Sequence, residues 1–160
     1  MTLPTVVRPS ARVIVVDSAD RVLLFQIRPD DPEAGGIWFT PGGGIEEGED
    51  VRRAAARELA EETGLVVSAD ELVGPVWVRR HVSANFDSRE TFFVLRIDRH
   101  EVNTAGFTDL ELRVLHRHRW WSLAELAAAE DMVFAPRAIA ALLPAVLAGA
   151  WSGPPLRLGT

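Results

Sequence analysis

Cysteine and lysine are both absent from this chain of 160 residues. Without cysteine there are no disulfides and no thiolate metal sites. Without lysine, all 17 basic residues are arginine. Arginine suits bidentate contacts to phosphate, although a GC-rich coding bias, which also raises alanine, accounts for the pattern with no function attached. No apolar run approaches the ~20 residues of a membrane span, and the N-terminus lacks the charged-then-apolar layout of a signal peptide. These absences lead to the expectation of a cytoplasmic protein with no membrane partner. An excess of positive charge is missing too. The net charge of −6 argues against broad, sequence-independent attachment to nucleic acid, which needs a basic surface, so no stable nucleic-acid binding is expected. It does not exclude phosphate-bearing substrates, because a bound divalent ion reverses the potential inside an acidic cleft.

What is present fits one domain spanning residues 1–160, with 48% hydrophobic and 25% charged residues giving material for a core and a soluble surface. Ala11 to Asp17 and Val22 to Ile27 are β-branched and aliphatic runs around Ser18-Ala19-Asp20, which predicts two strands and a tight turn. Ile37 to Thr40 reads as a short strand and Pro41 to Gly48 as a turn-rich segment. A helix is predicted from about Glu49 to Thr63, with Gly64 as its stop. Further strands are expected at Leu72 to Val82, Glu90 to Ile97 and Arg117 to Trp121. Ser122 with Glu125 forms a capping-box start for a helix near Leu123 to Glu130. Pro136 is expected to open another helix ending near Gly149, kinked or shortened at Pro144. The tail Trp151 to Thr160 reads as a loose or surface-wrapping segment. Strands, helix, strands, helices is the order of an α/β layered domain.

The chemistry concentrates in the stretch Gly43 to Leu65. A glycine-rich turn runs into a helix bearing Arg57, Glu58, Glu61 and Glu62. At ~100° per residue these glutamates project from one side of the helix, next to an apolar flank of Val51, Ala55 and Leu59 that packs on a sheet. Three carboxylates so close raise one another's pKa values, and a cation resolves the conflict. Clustered hard oxygen ligands suit Mg²⁺ or Mn²⁺. On an arbitrary helix three such glutamates are a solvated face; the coupling to the glycine loop argues for a site.

This segment resembles the Nudix box of the MutT-like hydrolases, G-x5-E-x7-R-E-U-x-E-E-x-G-U with U aliphatic. Gly43, Glu49, Arg57, Glu58, Leu59, Glu61, Glu62, Gly64 and Leu65 fill its fixed positions, and Trp38-Phe39-Thr40-Pro41-Gly42 is similar to the family's lead-in. The resemblance implies an α/β/α sandwich around a mixed β-sheet. It also implies divalent-metal-dependent hydrolysis of a nucleoside diphosphate linked to another moiety X, with Mg²⁺ or Mn²⁺ as cofactor. It makes Glu58, Glu61, Glu62 and the backbone carbonyl of Gly42 the metal ligands, with Glu61 either a ligand or the base. Arg57 orients the carboxylates. Glu49 matches a fixed glutamate and equally suits a helix N-terminus. Arg53 reads as part of a surface ion ladder with Asp50, Arg57 and Glu61, and Glu46 and Glu47 as loop solvation.

Outside the box, Glu111, Asp109 and Glu90 are candidates for a further acidic ligand, against a plain solvated reading. Alternation places Trp77, Arg79 and His81 on one strand face, where Arg79 and His81 could meet a substrate or simply solvent. Trp120 and Trp121 read as core and rim packing. The expected partner is a small nucleotide, with a homodimer left open. Two other functions compete: removal of pyrophosphate from an RNA 5′ end, disfavoured by the acidic charge, and a nucleotide sensor without turnover, which would be expected to have lost box glutamates. No extended motif of the coenzyme A or NADH type accompanies the box, so the identity of X is not encoded in it.

Overall fold

Two eleven-residue strands, β1 (Val6–Val16) and β6 (Phe86–Arg96), lie side by side in parallel from Val6 opposite Phe86 to Val16 opposite Arg96, and form the axis of the fold. The computed structural model describes residues 5–27, 36–107, 115–149 and 151–159. The remaining strands are β2 (Val22–Ile27), β3 (Ile37–Phe39), β4 (Gly42–Gly44), β5 (Val73–Val82), β7 (Leu115–Trp121), β8 (Val133–Ala135) and β9 (Leu156–Leu158). The described helices are α1 (Val51–Thr63), α2 (Leu123–Ala128) and α3 (Ile139–Leu147), with a 3-10 turn at Ala69–Glu71. The sheet order is β8-β3-β2-β1-β6-β5-β9, with β4 joined to β1 and β7 to β2. The β1–β6, β3–β8 and β5–β9 pairs are parallel and the others antiparallel, which makes the sheet mixed.

Both faces are covered, which is why β1 and β2 read as nearly continuous apolar runs rather than as alternating ones. Ala11, Val13 and Val15 of β1 pack with Phe93, Leu95 and Ala54, Ala55 and Leu59 of α1. Ile14 and Val16 point the other way, into a core shared with Trp38, Trp77, Trp121 and Leu126, Ile139 and Leu143 of α2 and α3. Trp121 meets Trp38 edge-on at 5.1 Å and Phe134 at 5.4 Å between ring centroids, a geometry that matches positive ring edges to negative faces. Trp120 is half-buried on the α1 side. The result is the α/β/α sandwich that the resemblance implied.

Several boundaries differ from the expectations for local physical reasons. Helix α1 starts at Val51 because Asp50 caps it, accepting from the amides of Arg52 (3.1 Å) and Arg53 (3.3 Å). Gly64 ends it in the left-handed region at φ 76°, returning its N–H to Ala60 O. The segment read as turn-rich contains β4, paired with Ser10–Arg12. Strand β6 begins at Phe86 rather than Glu90, because polar Ser88 and Arg89 sit in register with β1. Helix α3 begins at Ile139 rather than Pro136, since β8 holds the preceding residues extended against β3. Part of the tail forms β9, parallel to β5 at Trp77–Arg79. Among the described residues no helix is long and apolar enough to cross a membrane.

Leu59 is fully buried between α1 and the sheet. Replacing it with alanine should lower the unfolding free energy by about 2–5 kcal/mol, read as a shifted urea midpoint at constant slope. A change below about 0.5 kcal/mol, as at an ordinary surface site, would mean that α1 is not seated by this contact.

Candidate active site

The glycine turn and α1 bring the box residues together. Glu58 and Glu62, one helical turn apart, are 9% and 4% exposed, whereas the Glu61 side chain is 38% exposed. Two of the three carboxylates are therefore withdrawn from water, and the third faces it. Glu62 Oε2 accepts the N–H of Gly42 at 3.0 Å. The Glu58 carboxylate lies against Gly43, so close that a Cβ there would stand 2.5 Å from its carboxyl carbon. A side chain at 43 would therefore have to displace the Glu58 carboxylate from this position. Glycine at 42 is set by the close approach of β1, since its Cβ would meet Ala11 O at 2.3 Å.

Arg57 ties the cluster together. Its Nε and Nη2 donate to the two oxygens of Glu49, both at 2.8 Å, a bidentate fork. Nη2 also donates to Gly44 O at 3.0 Å, and Nη1 to Glu58 Oε1 at 3.0 Å and Glu61 Oε1 at 3.4 Å. One cation thereby offsets the mutual repulsion of three glutamates and fixes the turn to the helix. The hydrogen bond from Arg57, then that from the Glu46 amide, holds the Glu49 pKa down at about 2. The same contact with Glu49, aided by Glu58, raises the Arg57 pKa. The ladder expected through Arg53 does not form: the Asp50 carboxylate caps the helix, and Arg57 takes Glu49 and Glu58 as well as Glu61. Glu46 and Glu47 face solvent.

A divalent ion suits this arrangement. The donors are hard oxygens, and the glycine turn keeps side chains away from the carboxylates. No three described His, Asp or Glu side chains form a ready-made cage. An ion such as Mg²⁺ takes one or two carboxylates and completes its shell with water and substrate phosphates. Glu58 and Glu62 are the buried pair able to hold it.

Across β1, on the α2–α3 side of the sheet, a cleft of about 570 Å³ is lined by Arg12, Phe39, Arg79, His81, Glu90 and Arg137. This is where Arg79 and His81 lie. Glu90 sits within β6 and turns to this cleft, where Arg12 Nε and Arg79 Nη1 each hold it at 2.8 Å. Burial opposes its ionisation, but the two guanidiniums outweigh that and keep its pKa below the ordinary value. Glu90 is consequently a member of the cleft wall, inside β6 rather than at the head of a strand. Glu111 and Asp109 lie outside the described residues. Arg12 was missed in the sequence, although a charged residue within an apolar strand is a visible signal. It joins the two regions, donating to Thr40 O at 2.9 Å and pairing in register with Gly42. Three buried polar atoms of this neighbourhood, Ser10 Oγ, Thr40 Oγ1 and Arg79 Nε, have no hydrogen-bond partner.

The model of the NUDIX domain family matches residues 6–143. An RNA pyrophosphohydrolase of Sphingopyxis alaskensis is 28% identical over 143 residues, covering 79% of this chain and 82% of that protein. One from Dinoroseobacter shibae is 42% identical over 74 residues, 45% of this chain and 44% of that protein. Nudix hydrolase 25 of Arabidopsis thaliana is 41% identical over 76 residues, 48% and 41% of the two chains. In these last two the match spans less than half of the relative's length. Among solved structures, a MutT protein from Methanosarcina mazei superposes with TM-score 0.61 at 17% identity, covering 81% of this chain and 87% of that one. An Ap4A hydrolase from C. elegans does so with TM-score 0.62 at 17% identity, covering 89% and 98%. Both show the same fold.

The Glu49–Arg57 fork makes a pH prediction. A carboxylate with a depressed folded pKa adds stability that is present above its unfolded value, about 4.3, and lost as pH falls through its folded value, about 2. Carboxyl-carbon NMR should put the Glu49 midpoint near 2 in the native protein, rising to the ordinary range in Arg57→Gln. An ordinary midpoint in the native protein would mean that the fork is not formed in solution.

Proposed function

The chain belongs to the Nudix family, and from that membership we propose that it is a pyrophosphohydrolase cleaving the diphosphate linkage of a nucleoside diphosphate joined to a second moiety. The observation that carries the reading is the withdrawal of Glu58 and Glu62 onto the Gly42–Gly43 turn, with Arg57 holding their neighbours. Two carboxylates one helical turn apart offer hard oxygens to a divalent ion, and the fully populated box argues against a sensor that has lost turnover. Mg²⁺ or Mn²⁺ is the proposed cofactor, held by Glu58, Glu62 and the carbonyl of Gly42. Glu61 and, from outside the described residues, Glu111 are further candidate ligands. When bound, the ion neutralises phosphate oxygens and lowers the pKa of water. Arg57 fixes the carboxylate rotamers. Glu61, the most exposed of the three, is the proposed acceptor of a proton from an attacking water if it is not itself a ligand. Arg79 and His81 are proposed to contact substrate in the cleft that they line.

A second reading has a specific support: the relatives from Sphingopyxis alaskensis and Dinoroseobacter shibae are called RNA pyrophosphohydrolase. In that reading the moiety carrying the diphosphate is the 5′ nucleotide of an RNA.

Two tests follow from the carboxylate seat. Incubation with nucleoside diphosphate derivatives should yield nucleoside monophosphate and a phosphorylated second product with Mg²⁺ or Mn²⁺. Excess EDTA should abolish turnover and leave the circular dichroism unchanged, because the core is independent of the ion; undiminished turnover in EDTA would sink the mechanism. Glu62→Gln and Glu58→Gln should each cost roughly 10²- to 10⁴-fold in rate, since metal assistance is worth several kcal/mol, with partial rescue by added metal. Glu61→Gln, if that residue is the base, should lose about 10²- to 10⁴-fold without rescue. Glu47→Gln should change the rate by less than about threefold. If Glu58→Gln and Glu62→Gln behave like Glu47→Gln, the cluster is not the reaction centre.

A further inference from the structure

On the α1 side of the sheet, register places Gly43 beside Ala11, Ala11 beside Thr91, Thr91 beside Val78 and Val78 beside Arg157. Paired residues share a face, so this row runs from the seat of Glu58 to the far edge strand. In the next row, Pro9 is beside Arg89 and Arg89 beside Arg80. The far half of both rows lines a groove of about 510 Å³ whose charged members on this face are Arg80, Arg89 and Arg157. The side chains of Arg80 and Arg89 are 63% and 55% exposed, and Arg157 is exposed.

One carboxylate serves this group. Asp87 takes Arg80 through a bidentate pair of 2.8 Å bonds and Arg89 through one of 2.9 Å. These bonds, Arg80 first, hold its pKa well below the ordinary carboxylate range. Asp87 therefore stays ionised and acts as a fixed peg that orients two guanidiniums. Of five N–H donors on each guanidinium, most remain for a ligand. Three arginines against one carboxylate make a locally cationic groove on a chain whose net charge is −6. At about 4.8 Å per strand step, the four steps from Gly43 to Arg157 span roughly 19 Å. That is further than a mononucleotide anchored by its diphosphate reaches.

The geometry points to a track for single-stranded RNA: Arg80, Arg89 and Arg157 bind backbone phosphates downstream of a 5′ end lying at the carboxylates. This rests on the second reading of the function above, and it revises the expectation drawn from net charge, since phosphate contacts depend on local rather than total charge. Ala11 lies buried beneath α1, so the path between the two ends follows the neighbouring row of Pro9, Arg89 and Arg80, which is exposed and carries no carboxylate. The arginines act by position and not on the reacting atoms.

The test uses a short 5′-monophosphorylated single-stranded RNA, a product and so not consumed, with binding read by fluorescence anisotropy between about 50 and 200 mM salt. Arg89→Gln/Arg157→Gln should bind about tenfold more weakly at low salt. Its log–log salt slope should be shallower by about 1.4, two single-strand contacts at about 0.7 each. Hydrolysis of a nucleoside triphosphate should match the native protein. If the double variant loses native circular dichroism, Arg157→Gln alone should show half the slope change. Unchanged RNA affinity and slope, or equal losses for RNA and mononucleotide, would overturn the track. So would failure of the native protein to bind the RNA while it still turns over mononucleotides, an outcome that leaves diphosphate hydrolysis standing. Absence of turnover on every nucleotide and RNA tested would instead remove the functional reading on which the track depends.

Discussion

The site depends on one guanidinium. Arg57 is where the glycine turn, the start of α1 and the acidic face meet: it grips Glu49 in a bidentate fork, reaches Gly44 O, and touches Glu58 and Glu61. Without it, Glu58 and Glu61 would repel each other beside a buried Glu62, and nothing would bind the turn to the helix at that point. A charge-assisted fork is stronger and more directional than a neutral hydrogen bond, and the small exposure of Glu58 and Glu62 weakens the screening that makes surface ion pairs worth little. The fork with Glu49 also sets where Arg57 stands, at one flank of the cluster, so that it organises the carboxylates from the side of the turn.

The rest of the fold serves that junction. Strand β1 carries Ala11, which α1 packs on, and Arg12, which pairs in register with Gly42 and enters the cleft on the other face. The same strand therefore links the carboxylate seat to a cationic cleft through its alternation. Both glycines of the turn are explained by contact distances: Gly42 by the backbone of β1, Gly43 by the Glu58 carboxylate. A side chain at 42 would meet the backbone of β1, and one at 43 would shift the Glu58 carboxylate.

Much of this was legible in the sequence because its causes are local. The spacing of Arg57, Glu58, Glu61 and Glu62, the stop at Gly64 and the capping box at Ser122 all act within a few residues, and each appears where expected. What was not legible depends on distant pairing. Arg12 and Glu90 are 78 positions apart and meet only because β1 and β6 are parallel. Glu90 consequently read as a spare acid rather than as the partner of two arginines. Strand β9 is three residues of a Gly/Pro-rich tail, and only β5 beside it makes it a strand. Net charge likewise averages over a surface on which Asp87 gathers Arg80 and Arg89 in one place.

The central claim is that Glu58 and Glu62, seated by the glycine turn and by Arg57, hold the divalent ion. Direct titration of Mn²⁺ followed by electron paramagnetic resonance, comparing the native protein with Glu58→Gln/Glu62→Gln, addresses it without relying on turnover. The account predicts saturable Mn²⁺ binding by the native protein and its loss in the double variant, with the fold retained by circular dichroism. Equal Mn²⁺ affinity in the two proteins would contradict it.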